Sequence, residues 1–402
     1  MTGDTYKILQ ITDTHFINSS VTNRSVLRNY SLRDDWAMTA VRAVVEKAQP
    51  DMIVLTGDAV YTLDNIKDII GTTNNLAAFK KVVAFMDEFK IPWFYVFGNH
   101  DEEGSLLESF SEDADGNPVS RSVAVEKTKK TLGNYMIKNS KYGMFDFGPD
   151  DINGVGNYII NILNKDGSVN TSLVAFDSGS YLKDVPDKDD PTTLLYDYHN
   201  YEWVHDDQLD WYEAAIKDIS EREGHLVPSI VFQHIPTPEY ETVLNAFIEA
   251  LGERDWHEVI NVKGTPLTLK TELGEITYLG GVYNEGEVCC SYIGDYGALT
   301  FDGGHEFDRI EKLGSTKYIF CGHDHRNTYS FVYKGICLTY GMSIDYSANG
   351  MFTAKANQRI YNETEQRGGT LITLSADSSV TITQVPFDRN LYEEAVAASK
   401  NK

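Results

Sequence analysis

KILQITDTH, residues 7–15, is an apolar run that stops abruptly in an aspartate, a threonine and a histidine. The same form recurs in DMIVLTGD (51–58), PWFYVFGNHD (92–101), SIVFQHIP (229–236) and KYIFCGHDH (317–325). A short continuous apolar run reads as a strand buried on both faces that delivers polar side chains at its C-terminal end. Between the first three runs the apolar spacing becomes helical. Leu76, Phe79, Val83 and Met86 fall on one stripe, and a looser pattern runs from Trp36 to Ala48 before Pro50. Strand alternating with helix is the α/β signature.

Further along, YIINILNKDGSVNTSLVAFDSG (158–179) reads as two strands around Lys165-Asp166-Gly167, and SFVYKGICLTYG (330–341) repeats the pattern around Lys334-Gly335. Leu209, Tyr212, Ile216 and Ile219 mark another helix, and Tyr240, Val243, Leu244, Phe247 and Leu251 one more. GGTLITL (368–374) and VTITQVPF (380–387) read as closing strands, so the sheets mix parallel and antiparallel pairing. Residues 102–155 and 253–315 are richer in Gly, Asp, Glu and Asn with weaker periodicity, and read as insertions over the site. Residues 390–402 read as a helix fraying into a tail.

The 402 residues are 42% hydrophobic and 24% charged, enough to bury a large core. Acidic residues outnumber basic ones 60 to 35, and the net charge of −25 repels a nucleic acid backbone, which ranks long DNA or RNA low as a partner. The opening MTGDTYKILQITDTH has neither a basic n-region nor an apolar h-region, and no apolar run approaches the ~18 residues of a membrane span. Cys289, Cys290, Cys321 and Cys337 show no CxxC spacing, so neither a disulfide framework nor a thiolate zinc site is indicated. These features lead us to expect a protein of the cytoplasm without a membrane span.

Five clusters carry the candidate chemistry: Asp13-Thr14-His15, Gly57-Asp58, Gly98-Asn99-His100-Asp101, His234, and Gly322-His323-Asp324-His325. Each follows a strand-like run, where α/β sheets bind ligands. Singly, a histidine beside a strand is usually structural, and Asp, Asn or Gly at a strand end usually makes a turn. Together they hold five of the ten histidines, which makes chance convergence the poorer hypothesis. Nitrogen and oxygen donors without thiolate suit Mn, Fe or Zn. A metal pair needs an anionic ligand that touches both ions, and Asp58 is the candidate bridge. Asn99 adds an amide oxygen without adding charge. His100, directly after Asn99, is free to face the substrate and protonate a leaving alkoxide. Asp101 is expected to orient its imidazole, although an aspartate capping the next turn explains that residue equally well.

At these residues the sequence resembles the calcineurin-like metallophosphoesterase superfamily, whose signature runs DxH, GDxx(D), GNH(D/E), a lone His and GHxH. The resemblance implies a four-layer β-sandwich flanked by helices, with mixed sheets. It implies one ion held at Asp13, His15, Asp58 and His325, a second at Asp58, Asn99, His234 and His323, and His100 as the catalytic histidine. HIPTPEY (234–240), GVYNEGE (281–287), GHDHRN (322–327) and Gly156-Asn157-Tyr158 resemble the purple-acid-phosphatase-like subgroup. Residues 1–390 are accordingly expected to form one phosphoesterase domain, with insertions near 102–155 and 253–315 and a tail at 391–402. One departure stands out: GDAVY places Tyr61 where the family usually has a second aspartate. Purple acid phosphatases carry a ligating tyrosine there but lack the histidine that this chain has at 15, so Tyr61 is expected near the metals but uncoordinated.

The function expected from these features is hydrolysis of a phosphate mono- or diester by metal-bound hydroxide at two divalent or trivalent ions, with His100 as general acid. A small phosphorylated molecule or a phosphoprotein is the expected substrate. Two other classes remain: a catalytically silent metal-binding interaction scaffold of the same fold, marked by metal without turnover, and an oxygen-activating iron protein, marked by redox-linked turnover. His199, His205, His225, His257 and His305 lie outside the motifs and read as solvent-facing. Tyr240 and Arg326 are candidate neighbours on the phosphate side, with packing or surface the stronger reading of each.

Overall fold

The first three apolar runs become neighbouring strands, Thr5–Ile11, Met52–Thr56 and Trp93–Val96, paired in parallel with Ile8 opposite Met52 and Ile53 opposite Trp93. Every side chain of the second and third strands is buried, as parallel strands covered on both faces require. This is a computed structural model, which describes residues 3–17, 33–65, 68–72, 75–102, 121–186, 194–260, 266–283, 288–296, 299–302, 304–346 and 367–399. The chain divides into two compact units, each gathered from separated stretches of sequence.

The amino-terminal unit comprises Thr5–Gly148, Met342–Leu374 and Val380–Lys402. Its six-stranded sheet has the order Val380–Pro386, Gly368–Ser375, Thr5–Ile11, Met52–Thr56, Trp93–Val96, Gly143–Met144. The first two pair antiparallel and the last four are parallel, so the expected mixture of pairings is present. Helices Arg33–Ala48 and Asn75–Glu88 form where the apolar stripes placed them, and Ala78, Phe79, Val82, Val83 and Met86 are buried. A helix the periodicity did not mark, Arg121–Asn139, stands in the first polar stretch with Leu132 and Met136 buried. Its Lys129 makes a buried 3.3 Å ion pair with Glu102, the residue after Asp101. At the C-terminus, helix Arg389–Ser399 packs on Arg33–Ala48 and buries Leu391.

The central unit comprises Pro149–Gly341 with Met1–Asp4 and Ser375–Ser379. Strands Val169–Ala175, Ser229–Phe232, Thr316–Cys321 and Ile336–Tyr340 lie side by side in parallel. Tyr158–Leu163 adds antiparallel on one side, and Ser330–Tyr333, Gly274–Gly280 and Leu267–Thr271 add antiparallel on the other, making eight strands. Lys334 and Gly335 both have positive φ (48° and 78°), the primed turn that a tight hairpin favours. The hairpin 267–280 comes from the second polar stretch. It extends the sheet, because LTLKT and GEITYLG alternate in the period of half-buried strands. Helix Asp206–Glu223 buries Leu209, Tyr212, Ile216 and Ile219, and Glu239–Leu251 buries Tyr240, Val243, Leu244, Phe247 and Leu251. Tyr240 donates its hydroxyl to Ile319 O at 2.8 Å and accepts the Thr339 amide at 3.1 Å, so it braces two strands from beneath.

Among the described residues no helix is long and apolar enough to cross a membrane. One buried carboxyl in the central unit sets a pH dependence. Glu306, in helix His305–Leu313, is 1% exposed and accepts Gln233 Nε2 at 3.2 Å. Burial raises its pKa, the Gln233 bond lowers it, and nearby Glu239 raises it again, leaving it at about 8. The folded state therefore holds this proton more tightly than the unfolded chain. This contribution is fully present below the ordinary glutamate value and is lost as pH rises through about 8. Glu306→Gln should remove that component, leaving the variant more stable than the parent at pH 8.5 but not at pH 4.5. Urea midpoints of both proteins across that range check it, and parallel profiles contradict it.

Candidate metal centre

In the amino-terminal unit the expected ligands sit where parallel strands end: Asp13 and His15 after Thr5–Ile11, Asp58 after Met52–Thr56, and Asn99 after Trp93–Val96. All four are buried, at 0 to 1% exposure. Single ligand atoms of Asp13, His15 and Asp58 lie within 4.8 Å of one another. Non-glycine residues rarely adopt positive φ, and such backbone clusters at functional sites. Among the described residues eight do so, and Asp13 (53°), His15 (51°), Asp58 (49°) and, in the central unit, His323 (74°) are four of them.

Asp101 explains how these turns are held. Its carboxylate accepts backbone amides from Gly98 at 2.7 Å, Asp58 at 3.0 Å and Val60 at 3.1 Å, tying the GNHD and GDAV loops together. Backbone amides and Tyr95 are the partners of this carboxyl among the described residues, the arrangement of an aspartate that caps a turn. Burial and the neighbouring Asp58 push its pKa up to about 6 against the bonds from Tyr95, Gly98 and Val60. Gly98 is required because a Cβ there would fall inside the Asp58 carboxylate.

His15 presents Nε2 to Asp58 Oδ2 at 3.4 Å, while its Nδ1 meets Asp345 Oδ1 at 2.9 Å. Tyr61 stacks on the His15 ring at 4.8 Å and meets His100 edge-on at 4.9 Å. The His100 amide donates to Asp58 Oδ1 at 2.8 Å, and its side chain is 12% exposed, whereas that of His15 is 0%. Of these two imidazoles, His100 is the one that reaches solvent.

In the central unit, His234 follows Ser229–Phe232, and His323 and His325 follow the parallel neighbour Thr316–Cys321. His323 Nδ1 lies 3.2 Å from His234 Nε2. Two imidazoles on one ion, with bonds of ~2.0–2.1 Å, place their nitrogens between ~2.9 and ~3.4 Å apart in octahedral or tetrahedral geometry. The spacing fits a shared transition metal, and the clustered carboxylate, imidazole and amide donors fit Mn, Fe or Zn. Asp324 turns its carboxylate into its own loop, accepting the Arg326 amide and Asn327 Nδ2. Ser178 Oγ accepts the Ile235 amide at 2.9 Å, Gln233 Nε2 donates to Ile235 O at 2.9 Å, and Ser291 N donates to Pro236 O at 2.9 Å, so the His234 loop is held from three directions. The Tyr201 ring meets His323 edge-on at 4.3 Å. Asp345, Ser178, Gln233 and Tyr201 escaped the sequence reading. Ser178 and Gln233 carried a signal, since AFDSG and SIVFQHIP are both apolar runs ending in polar residues.

A calcineurin-like phosphoesterase profile matches residues 6–327. The chain belongs to the calcineurin-like phosphoesterase family. This calcineurin-like phosphoesterase is similar to probable inactive purple acid phosphatase 28 of Arabidopsis thaliana, 27% identical over 86% of this chain and 72% of that protein. It is also similar to phosphatase DCR2 of Saccharomyces cerevisiae, 28% identical over 81% of this chain but only 44% of that protein. A dimetal phosphatase structure from Danio rerio matches at 11% identity with a TM-score of 0.43 over 95% of this chain and 99% of that one, a likeness too distant to carry an argument.

Asp101→Ala should strip an acceptor from three buried amides and destabilise the fold by ~3 kcal/mol or more, at about 1–3 kcal/mol for each stranded donor. Urea denaturation measures it. An unchanged midpoint with reduced turnover would instead assign Asp101 the role of orienting His100.

Proposed function

We propose that this phosphoesterase hydrolyses phosphate mono- or diesters, with two metal ions held by Asp13, His15, Asp58, Asn99, His234, His323 and His325, and with His100 as general acid. The observation that carries the reading is His100, which keeps 12% of its side chain in solvent beside the buried Asp13, His15 and Asp58. Bound at those residues, divalent or trivalent ions such as Mn, Fe or Zn polarise the phosphoryl group and lower the pKa of coordinated water.

The chain's own residues do the rest. Asp58 is held at both ends: its amide is clamped by Asp101, and its Oδ1 accepts the His100 amide. That bond fixes the His100 backbone, and the Tyr61 and His15 rings wall in its imidazole at 4.9 and 5.4 Å. A histidine so placed gives its proton to the leaving alkoxide, a contribution of ~10²–10⁴. Substrates with a small phosphorylated group or a phosphorylated protein side chain suit the site, and the net charge of −25 disfavours long nucleic acids.

A second reading rests on names: relatives at 27% and 25% identity are called probable inactive purple acid phosphatases. In that reading the chain binds metal without turning over an ester. Metal analysis alongside hydrolysis of p-nitrophenyl phosphate and bis-p-nitrophenyl phosphate separates the two. Under the enzymatic reading His100→Ala retains metal but loses ~10²-fold or more in kcat, and Asp58→Asn loses both metal and turnover. Bound metal with no hydrolysis across a broad ester panel establishes the silent protein.

A further inference from the structure

The sequence singles out nothing between Gly341 and Arg367, yet this stretch supplies a buried carboxylate to a candidate ligand. Asp345 Oδ1 lies 2.9 Å from His15 Nδ1, and both side chains are within 2% of full burial. The two residues are 330 positions apart. The segment that carries Asp345 is tied to the end of strand Thr5–Ile11: Ser343 bridges Thr12 in parallel, and the Ile344 amide donates to Thr12 O at 3.0 Å. Ser343 Oγ accepts the Asp345 amide at 3.0 Å, and Arg367 Nε donates to Asp345 O at 2.6 Å. The Arg367 guanidinium also lies over the Tyr346 ring at 4.4 Å, and Tyr346 meets Trp36 edge-on at 5.9 Å. Asp345 is therefore fixed by its backbone on both sides before its side chain meets His15.

We propose that Asp345 is the positioning residue for His15. The inference rests on the metal-binding reading given above. A carboxylate accepting from Nδ1–H holds the imidazole in the tautomer whose Nε2 lone pair is free, and turns that nitrogen toward Asp58 and Asp13. Nε2 already stands 3.4 Å from Asp58 Oδ2, so the two atoms could serve one ion together. The Tyr61 ring closes one face of His15 at 4.8 Å, so the imidazole has little room to rotate once Nδ1 is tied down.

The test uses the full-length protein loaded with zinc. Calorimetric titration of the unsubstituted chain comes first: failure to bind zinc sinks the metal-binding reading itself, and this inference with it. If zinc binds, Asp345→Asn should weaken one of the two ions by ~10–100-fold while leaving the other. The same substitution made in a His15→Ala background should cause no further loss, because Asp345 acts through His15; an additive loss overturns the proposal. Zinc affinities of Asp345→Asn equal to those of the parent also overturn it. A readout independent of how well the variants fold is nitrogen-15 NMR of the histidines in the unsubstituted, zinc-loaded protein. His15 should carry its proton on Nδ1 and metal on Nε2, and the reverse assignment overturns the proposal.

Discussion

The three amides that converge on Asp101 are the constraint on which the amino-terminal unit's strand ends depend. Parallel strands that end side by side leave loops whose N–H groups are buried and lack ladder partners, and a buried donor left unmet costs about 1–3 kcal/mol. One carboxylate meets those of Gly98, Asp58 and Val60 together. Ionised, it lies in a dry place beside another carboxylate, which is why its pKa climbs to about 6. The amide bonds hold that rise in check, and the loops in turn can afford the positive φ of Asp58. With Gly98 packed against the Asp58 carboxylate, the two motifs form one object.

The central unit solves the same problem with neutral groups at one loop and a carboxylate at the other. The His234 loop is tied by a serine hydroxyl, a glutamine amide and a backbone bond from Ser291. The His323 turn is tied by Asp324 to its own downstream amide and to Asn327. Holding loops from behind leaves the imidazoles of His234 and His323 to face one another at 3.2 Å. Preorganisation of this kind suits metal sites, where ligand orientation is set by the partners of the ligands.

Tyr61 illustrates how one substitution within a motif is absorbed. A carboxylate at that position would add a negative charge beside Asp58 and Asp101. The aromatic ring adds none, is 2% exposed, and serves as a wall for both His15 and His100. The charge that His15 needs at Nδ1 arrives from Asp345, on a different stretch of chain.

Most of the strand and helix plan was legible because buried parallel strands and amphipathic helices carry their periods in the local order of residues: KILQI, MIVLT and WFYV became neighbours, and Leu209 to Ile219 became a buried stripe. The candidate ligands were legible for the same reason, since each closes such a run. Helix Arg121–Asn139 and the hairpin 267–280 were less visible, the first for its weak apolar stripe and the second because it sits at a polar edge. The sequence by itself therefore determined the strand-end positions of the donors and the family to which they point. Tertiary structure alone decided which groups stand behind them. Asp101 turned to backbone amides, and Asp345 reached His15 across 330 residues, because hydrogen-bond partners are chosen by proximity in space, which no local periodicity encodes.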